Sequence, residues 1–183
     1  MAVAMTSRTP SDKVKSSVAR VARALSYAHE NNVVHRDIKP AQIMYQPESD
    51  QVEVTDFGLA RIADSSKTKT GMVLGTPSYM SLERLTGKKI DSRSDLFSLS
   101  VMLYQMTCVQ LPFGDDSMMA RLMFKIANEP HPDIRTSRPD VPQCLAVTID
   151  RALVKDGDQR YQVGAEMALD LRSCMASTQE GGR

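Results

Sequence analysis

The sequence predicts a mainly α domain of the α+β kind: one small β-hairpin and about five to six helices around a buried central helix. Three observations carry this. Apolar residues recur at helical spacing along most of the chain, two β-branched runs flank a polar turn, and residues 95–109 are apolar nearly all round.

Each element has its own signal. Residues 1–11 are polar and small, and read as a flexible lead-in. From Asp12 to Asn31, Val14, Val18, Val21, Leu25 and Ala28 recur at spacings of four and three, one apolar face of a helix. Asn31 and Asn32 tolerate the left-handed backbone that ends it. Ile43-Met44-Tyr45 and Val52-Glu53-Val54, joined by Pro47-Glu48-Ser49-Asp50, form a hairpin signature. Residues 60–82 are rich in Ser, Thr, Lys and Gly without periodicity, which predicts a long loop, and such loops are usually functional. Residues 95–109 predict the buried central helix. Residues 117–128 are amphipathic, with Met118, Leu122 and Ile126 on one side. A Pro-rich connector leads to helices over 144–155 and 165–176. Val163 stands where a hydroxyl N-cap is expected. The domain is expected to span 12–176, with 177–183 a disordered tail.

Composition bounds the function. The chain has 183 residues, 42% hydrophobic and 25% charged, which suits one globular domain. Its net charge of +1, from 23 basic and 22 acidic residues, provides no field to attract nucleic acid or anionic membrane, so neither is an expected partner. Cys108, Cys144 and Cys174 are odd in number and dispersed. That argues against disulfides or structural zinc, and predicts buried thiols in a reducing cytoplasm. No signal peptide is visible at the start, and the strongest apolar run is too short for a bilayer. A cytoplasmic location is therefore expected. His29 and His131 lack metal-ligand spacing and read as surface or connector residues.

The chemistry concentrates in two segments. His35-Arg36-Asp37-Ile38-Lys39-Pro40-Ala41-Gln42 is followed by Asp56-Phe57-Gly58, the two aspartates standing 19 positions apart and bracketing the hairpin. Asp56-Phe57-Gly58 alone is a weak signal, equally a turn with a solvated Asp and a core Phe. The conjunction is strong. The chain resembles the C-terminal lobe of protein kinases, most closely bacterial serine/threonine kinases of the eukaryotic type. The resemblance implies a protein-kinase-like C-lobe fold, ATP and Mg2+ as cofactors, and a protein hydroxyl as substrate.

Residue by residue, the resemblance implies that Asp37 accepts the substrate proton or orients the hydroxyl, while Lys39 offsets charge on the transferred phosphate. Asp56 and Gln42 take the magnesium-binding positions, and Met44 the position under the adenine ring. His35, Arg36, Phe57 and Gly58 shape the two loops. Thr68, Thr70 and Thr76 lie in the activation loop, where Arg36 would meet a phosphate. Glu83 and Arg160 match a buried ion pair. Asp95 matches the anchor of the catalytic loop, and is also a candidate helix N-cap.

The sequence departs from the family pattern in places. Gln42 replaces asparagine, Leu82 replaces proline, and Ser100 and Cys108 replace glycines of the central helix. Only 34 residues precede His35, too few for the glycine-rich loop, lysine strand and ion-paired helix of a kinase N-lobe. The isolated chain is thus expected to be weakly active or inactive, with an N-lobe or regulatory protein as a partner. The alternative is a non-catalytic, pseudokinase-like scaffold that presents residues 117–128 and its open cleft face.

Overall fold

The computed structural model describes residues 12–57, 77–114 and 118–180. Helix α1 (Asp12–Glu30) buries Val14, Val18, Val21, Ala22 and Leu25, the face its spacing predicts. Its chain turns at Asn32, whose φ of 60° is the left-handed conformation Asn accepts readily. Strands β1 (Ile43–Gln46) and β2 (Gln51–Val54) pair antiparallel, with Ile43 opposite Val54 and Tyr45 opposite Val52. This register turns Ile43, Val52 and Val54 toward the core and leaves Met44 and Glu53 outward. Arg20 of α1 reaches the hairpin turn at Asp50.

After the short helix α2 (Leu82–Leu85), the central helix α3 (Ser92–Cys108) runs through the core. Leu96, Phe97, Leu99, Val101 and Leu103 have no exposed surface. Its N-cap is Asp91, which accepts from the Arg93 N–H at 3.0 Å, so Asp95 is free of the capping role that its sequence context also allowed. The left-handed C-cap is Val109 at φ 61°, one residue beyond Cys108. Ser100, without exposed surface, donates to the Leu96 carbonyl at 2.9 Å, which satisfies a hydroxyl where glycine was the expected residue.

Helices α4 (Met119–Asn128), α5 (Ile134–Ser137), α6 (Gln143–Leu153) and α7 (Gly164–Glu180) complete the body. α1 lies against α3 and α7, and α6 against the same two. A Cβ on Gly164 would stand 2.1 Å from the Ala22 carbonyl oxygen, so only glycine permits this approach of α7 to α1. The single turns α2 and α5 had no periodic signal, being too short to show one. Asp133 caps α5 by accepting from Arg135 N–H.

Two expectations are corrected. The helix continues to Glu180, four residues into the stretch expected to be a disordered tail. There Ser177 and Thr178 donate to the Cys174 carbonyl at 3.1 and 3.0 Å, tying the hydroxyl-rich segment to its own helix. Cys144 and Cys174 are joined as a disulfide, S–S 1.98 Å and Cα–Cα 5.5 Å, not separate thiols. α6 and α7 pack antiparallel, which brings together cysteines whose sequence separation of 30 gave no sign of pairing. Cys108 remains a thiol, and burial pushes it above the ordinary range. No helix among the described residues is long and apolar enough to cross a membrane.

Candidate active site

The segment from His35 to Gln42 crosses from α1 to β1 and is fastened from beneath by Asp95. That carboxylate, 1% exposed, accepts the backbone N–H of His35 at 2.8 Å and of Arg36 at 2.7 Å. His29 Nε2 donates to the same carboxylate at 2.8 Å. Three hydrogen bonds thus repay the burial of one charge. Arg36 takes φ 70°, a strained value for a residue with a side chain, and the two Asp95 bonds hold its own N–H and that of the residue before it. His35, fully buried, donates from Nε2 to the Thr55 carbonyl at 2.8 Å, which leaves Nδ1 to accept from Asp37 N–H at 3.3 Å.

Asp37 projects from this loop with its carboxylate 26% exposed. Lys39 Nζ lies 2.6 Å from Oδ2, and Arg84 Nη1 lies 3.1 Å from Oδ1. Arg84 also donates to the Arg36 carbonyl, so α2 is tied to the loop at two points. The result is an accessible carboxylate flanked by two cations.

The second predicted segment lies alongside. Thr55 N–H donates to the Gln42 carbonyl at 2.9 Å, and the Thr55 hydroxyl donates to Gln42 Oε1 at 3.2 Å. The Phe57 ring meets His35 edge-on at 4.9 Å. His35 and Gln42 therefore bracket Asp56 against the loop that carries Asp37. Asp56 is exposed and also left-handed, at φ 61°. Its carboxylate and the Gln42 amide are hard oxygen donors, which suits Mg2+. That ion characteristically takes one or two carboxylates and completes its shell with phosphate oxygens and water. Met44 of β1 is 51% exposed and Phe57, three residues beyond β2, is 39% exposed. Gly58, Thr68, Thr70 and Thr76 lie outside the described residues.

Glu83 and Arg160 meet as a bidentate pair, Oε1–Nη1 2.8 Å and Oε2–Nη2 3.3 Å, with Arg160 1% exposed. Ser94 donates to Glu83 at 2.6 Å, and Arg160 spends its other donors on the Val154 and Lys155 carbonyls. Burial pushes the Glu83 carboxyl up, but the bonds from Arg160 and Ser94 outweigh it and hold the group below the usual range. The pair fixes α2 to the core, with Leu82 in place of the usual proline.

A family profile for the protein kinase domain matches residues 2–172. The chain belongs to the protein kinase family. It is 39% identical over 158 residues to a probable serine/threonine-protein kinase, SCO3848, of Streptomyces coelicolor, covering 85% of this chain and 23% of that protein. It is 40% identical over 157 residues to the serine/threonine-protein kinase PknB of Mycolicibacterium smegmatis, covering 84% and 25%. The chain thus spans about a quarter of the length of these relatives. The PknI kinase domain of Mycobacterium tuberculosis shares the fold, with a TM-score of 0.66 at 23% identity over 88% of this chain and 55% of that one.

Within this kinase fold, two site residues were not legible as such. His29, expected at the surface, is 9% exposed and supports Asp95. Its position four residues after Leu25 on the buried face of α1 was the available signal. Arg84 had none. Beside Glu83 it reads as one more solvated charge.

Proposed function

We propose that this chain supplies the catalytic-loop lobe of a serine/threonine protein kinase, which moves the γ-phosphoryl group of ATP to a protein hydroxyl. The observation that carries this is Asp37, accessible beside Lys39 on a strained loop held by the buried Asp95. In this reading Asp37 orients the substrate hydroxyl and receives its proton, and Lys39 offsets charge on the phosphoryl oxygens. Asp56 and Gln42 would hold magnesium, which when bound neutralises nucleotide phosphate charge. The exposed Met44 and Phe57 support a second lobe covering this face, since apolar surface beside a site is normally covered.

The test combines the full chain with the N-terminal lobe of a bacterial relative, Mg-ATP and a protein substrate. Phosphoryl transfer is expected, reduced at least about 100-fold by Asp37→Asn, which removes the proton acceptor. Gln42→Asn is expected to raise the rate by about 10–100-fold by restoring the shorter metal-facing amide. No transfer with either wild type or Gln42→Asn would overturn the reading.

A second reading has one observation behind it. Gln42 Oε1 is turned onto the Thr55 hydroxyl, an interaction that competes with metal ligation. A pseudokinase-like scaffold would then bind a protein partner with an affinity unchanged by Asp37→Ala.

A further inference from the structure

The Asp37–Arg84 pair carries a consequence for the substrate, resting on the kinase reading above. Arg84 Nη1 sits 3.1 Å from Asp37 Oδ1, so a hydroxyl donating to that oxygen at ordinary length comes within about 6 Å of the guanidinium. Nη1 is occupied by Asp37 and the Arg36 carbonyl. Among the described residues, Nε and Nη2 have no partner. The side chain is 25% exposed beside the Asp37 carboxylate. Its backbone cannot drift, because the adjacent Glu83 is locked to Arg160 and Ser94. Lys39 adds a second positive charge on the other side of Asp37. The approach to the acceptor position therefore has two cations around one carboxylate.

We propose that Arg84 selects substrates whose phosphoacceptor Ser or Thr is flanked by Asp or Glu. A planar guanidinium with free donors holds a carboxylate through two parallel hydrogen bonds, which a lysine in the same place does not. One extended residue advances the chain by roughly 3.5 Å, so a carboxylate one or two residues from the acceptor falls within the fork's reach. A lysine-flanked peptide meets like charge instead. Arg84 is a specificity residue here, with no part in bond making.

The test measures binding of fluorescein-labelled serine peptides to the full 183-residue chain by anisotropy at low salt. The flanks are two Asp, two Gln or two Lys on each side. The Asp-flanked peptide is expected to bind at least about tenfold tighter than the Gln-flanked one, with the gap closing to within about twofold in Arg84→Gln. Arg84→Glu is expected to reverse the order and favour the Lys-flanked peptide, a change that loss of folding cannot produce. Equal binding by wild type, or an acidic preference that survives both substitutions, overturns the proposal. Phosphoryl transfer by the two-lobe mixture is read separately. Transfer without acidic preference sinks only the Arg84 assignment, whereas acidic preference without transfer sinks the kinase reading and leaves Arg84 a contact for acidic peptides, not a selector of substrates.

Discussion

Arg36 sits at φ 70° while its N–H donates to the Asp95 carboxylate at 2.7 Å. A buried charge on the central helix thereby holds a strained backbone on a different segment, 59 residues away in sequence. Strain of this kind persists only where its surroundings over-determine it. Here the surroundings include the Asp95 carboxylate, which also receives His35 N–H and His29, and Arg84, which donates to the Arg36 carbonyl.

Asp95→Asn tests that dependence. The amide keeps the shape but presents an NH2 group where two backbone N–H donors and a histidine converge. A destabilisation of about 2–4 kcal/mol is expected from the lost charge-assisted bonds and the donor–donor conflict. Urea denaturation measures it. Amide resonances of His35 and Arg36 should shift far more than those of the α6–α7 pair.

The Cys144–Cys174 disulfide closes a loop of 30 residues across two packed helices. The loop-entropy relation assigns such a bridge about 3–4 kcal/mol of stabilisation. Reduction, or Cys144→Ser, should lower the urea midpoint accordingly. The denaturant slope of the wild type should rise on reduction as the unfolded chain expands. Alkylation followed by mass measurement should find one reactive thiol, Cys108, before reduction and three after.

What could be read from the sequence, and what could not, divides along a physical line. The α1 face, the hairpin and the His35–Gln42 loop are written in residues near one another, where period and spacing carry the information. The partners of those elements are not. His29 meets Asp95 across 66 positions, and Cys144 meets Cys174 across 30. Both meetings depend on how helices pack. The two readings of Asp95, loop anchor or helix N-cap, were of the same kind. Its hydrogen bond to His35 N–H gives it the first role, and Asp91 takes the second. Arg84 was illegible for a further reason: an arginine on a one-turn helix has no periodic context to say which way it points.

Val109 closes the central helix in the left-handed conformation at φ 61°, and its side chain is 81% exposed. A β-branched residue there costs roughly 1–2 kcal/mol of steric strain, and exposure returns little packing to offset it. Val109→Gly removes the strain but adds freedom to the unfolded chain, which cancels part of the gain. A net stabilisation of about 0.5–1 kcal/mol is expected, read as a higher urea midpoint at unchanged slope.

Lys155 sets the alkaline behaviour. Its Nζ donates to the Ile126 carbonyl at 2.6 Å and sits 3.8 Å from the centre of the Phe113 ring. Desolvation, with Arg160 nearby, lowers its pKa from the ordinary 10.5 to about 8. Between these values the unfolded chain binds more protons than the folded one, so stability should rise with pH. Tyr104 and Tyr161 oppose this above pH 10, because burial raises both from the ordinary 10.0. Their folded forms retain the proton longer, and the stability they contribute is lost as pH climbs past that value. The Cys108 thiol, raised by burial from the ordinary 9.0, opposes the rise sooner, so a stability maximum between about pH 9 and 10 follows, with a rising limb from about 8. Lys155→Met should flatten that limb and leave the decline above pH 10 in place. Urea midpoints measured from pH 7 to 11 decide it: a flat wild-type profile, or a rise that survives Lys155→Met, would show that this amine is not the group responsible.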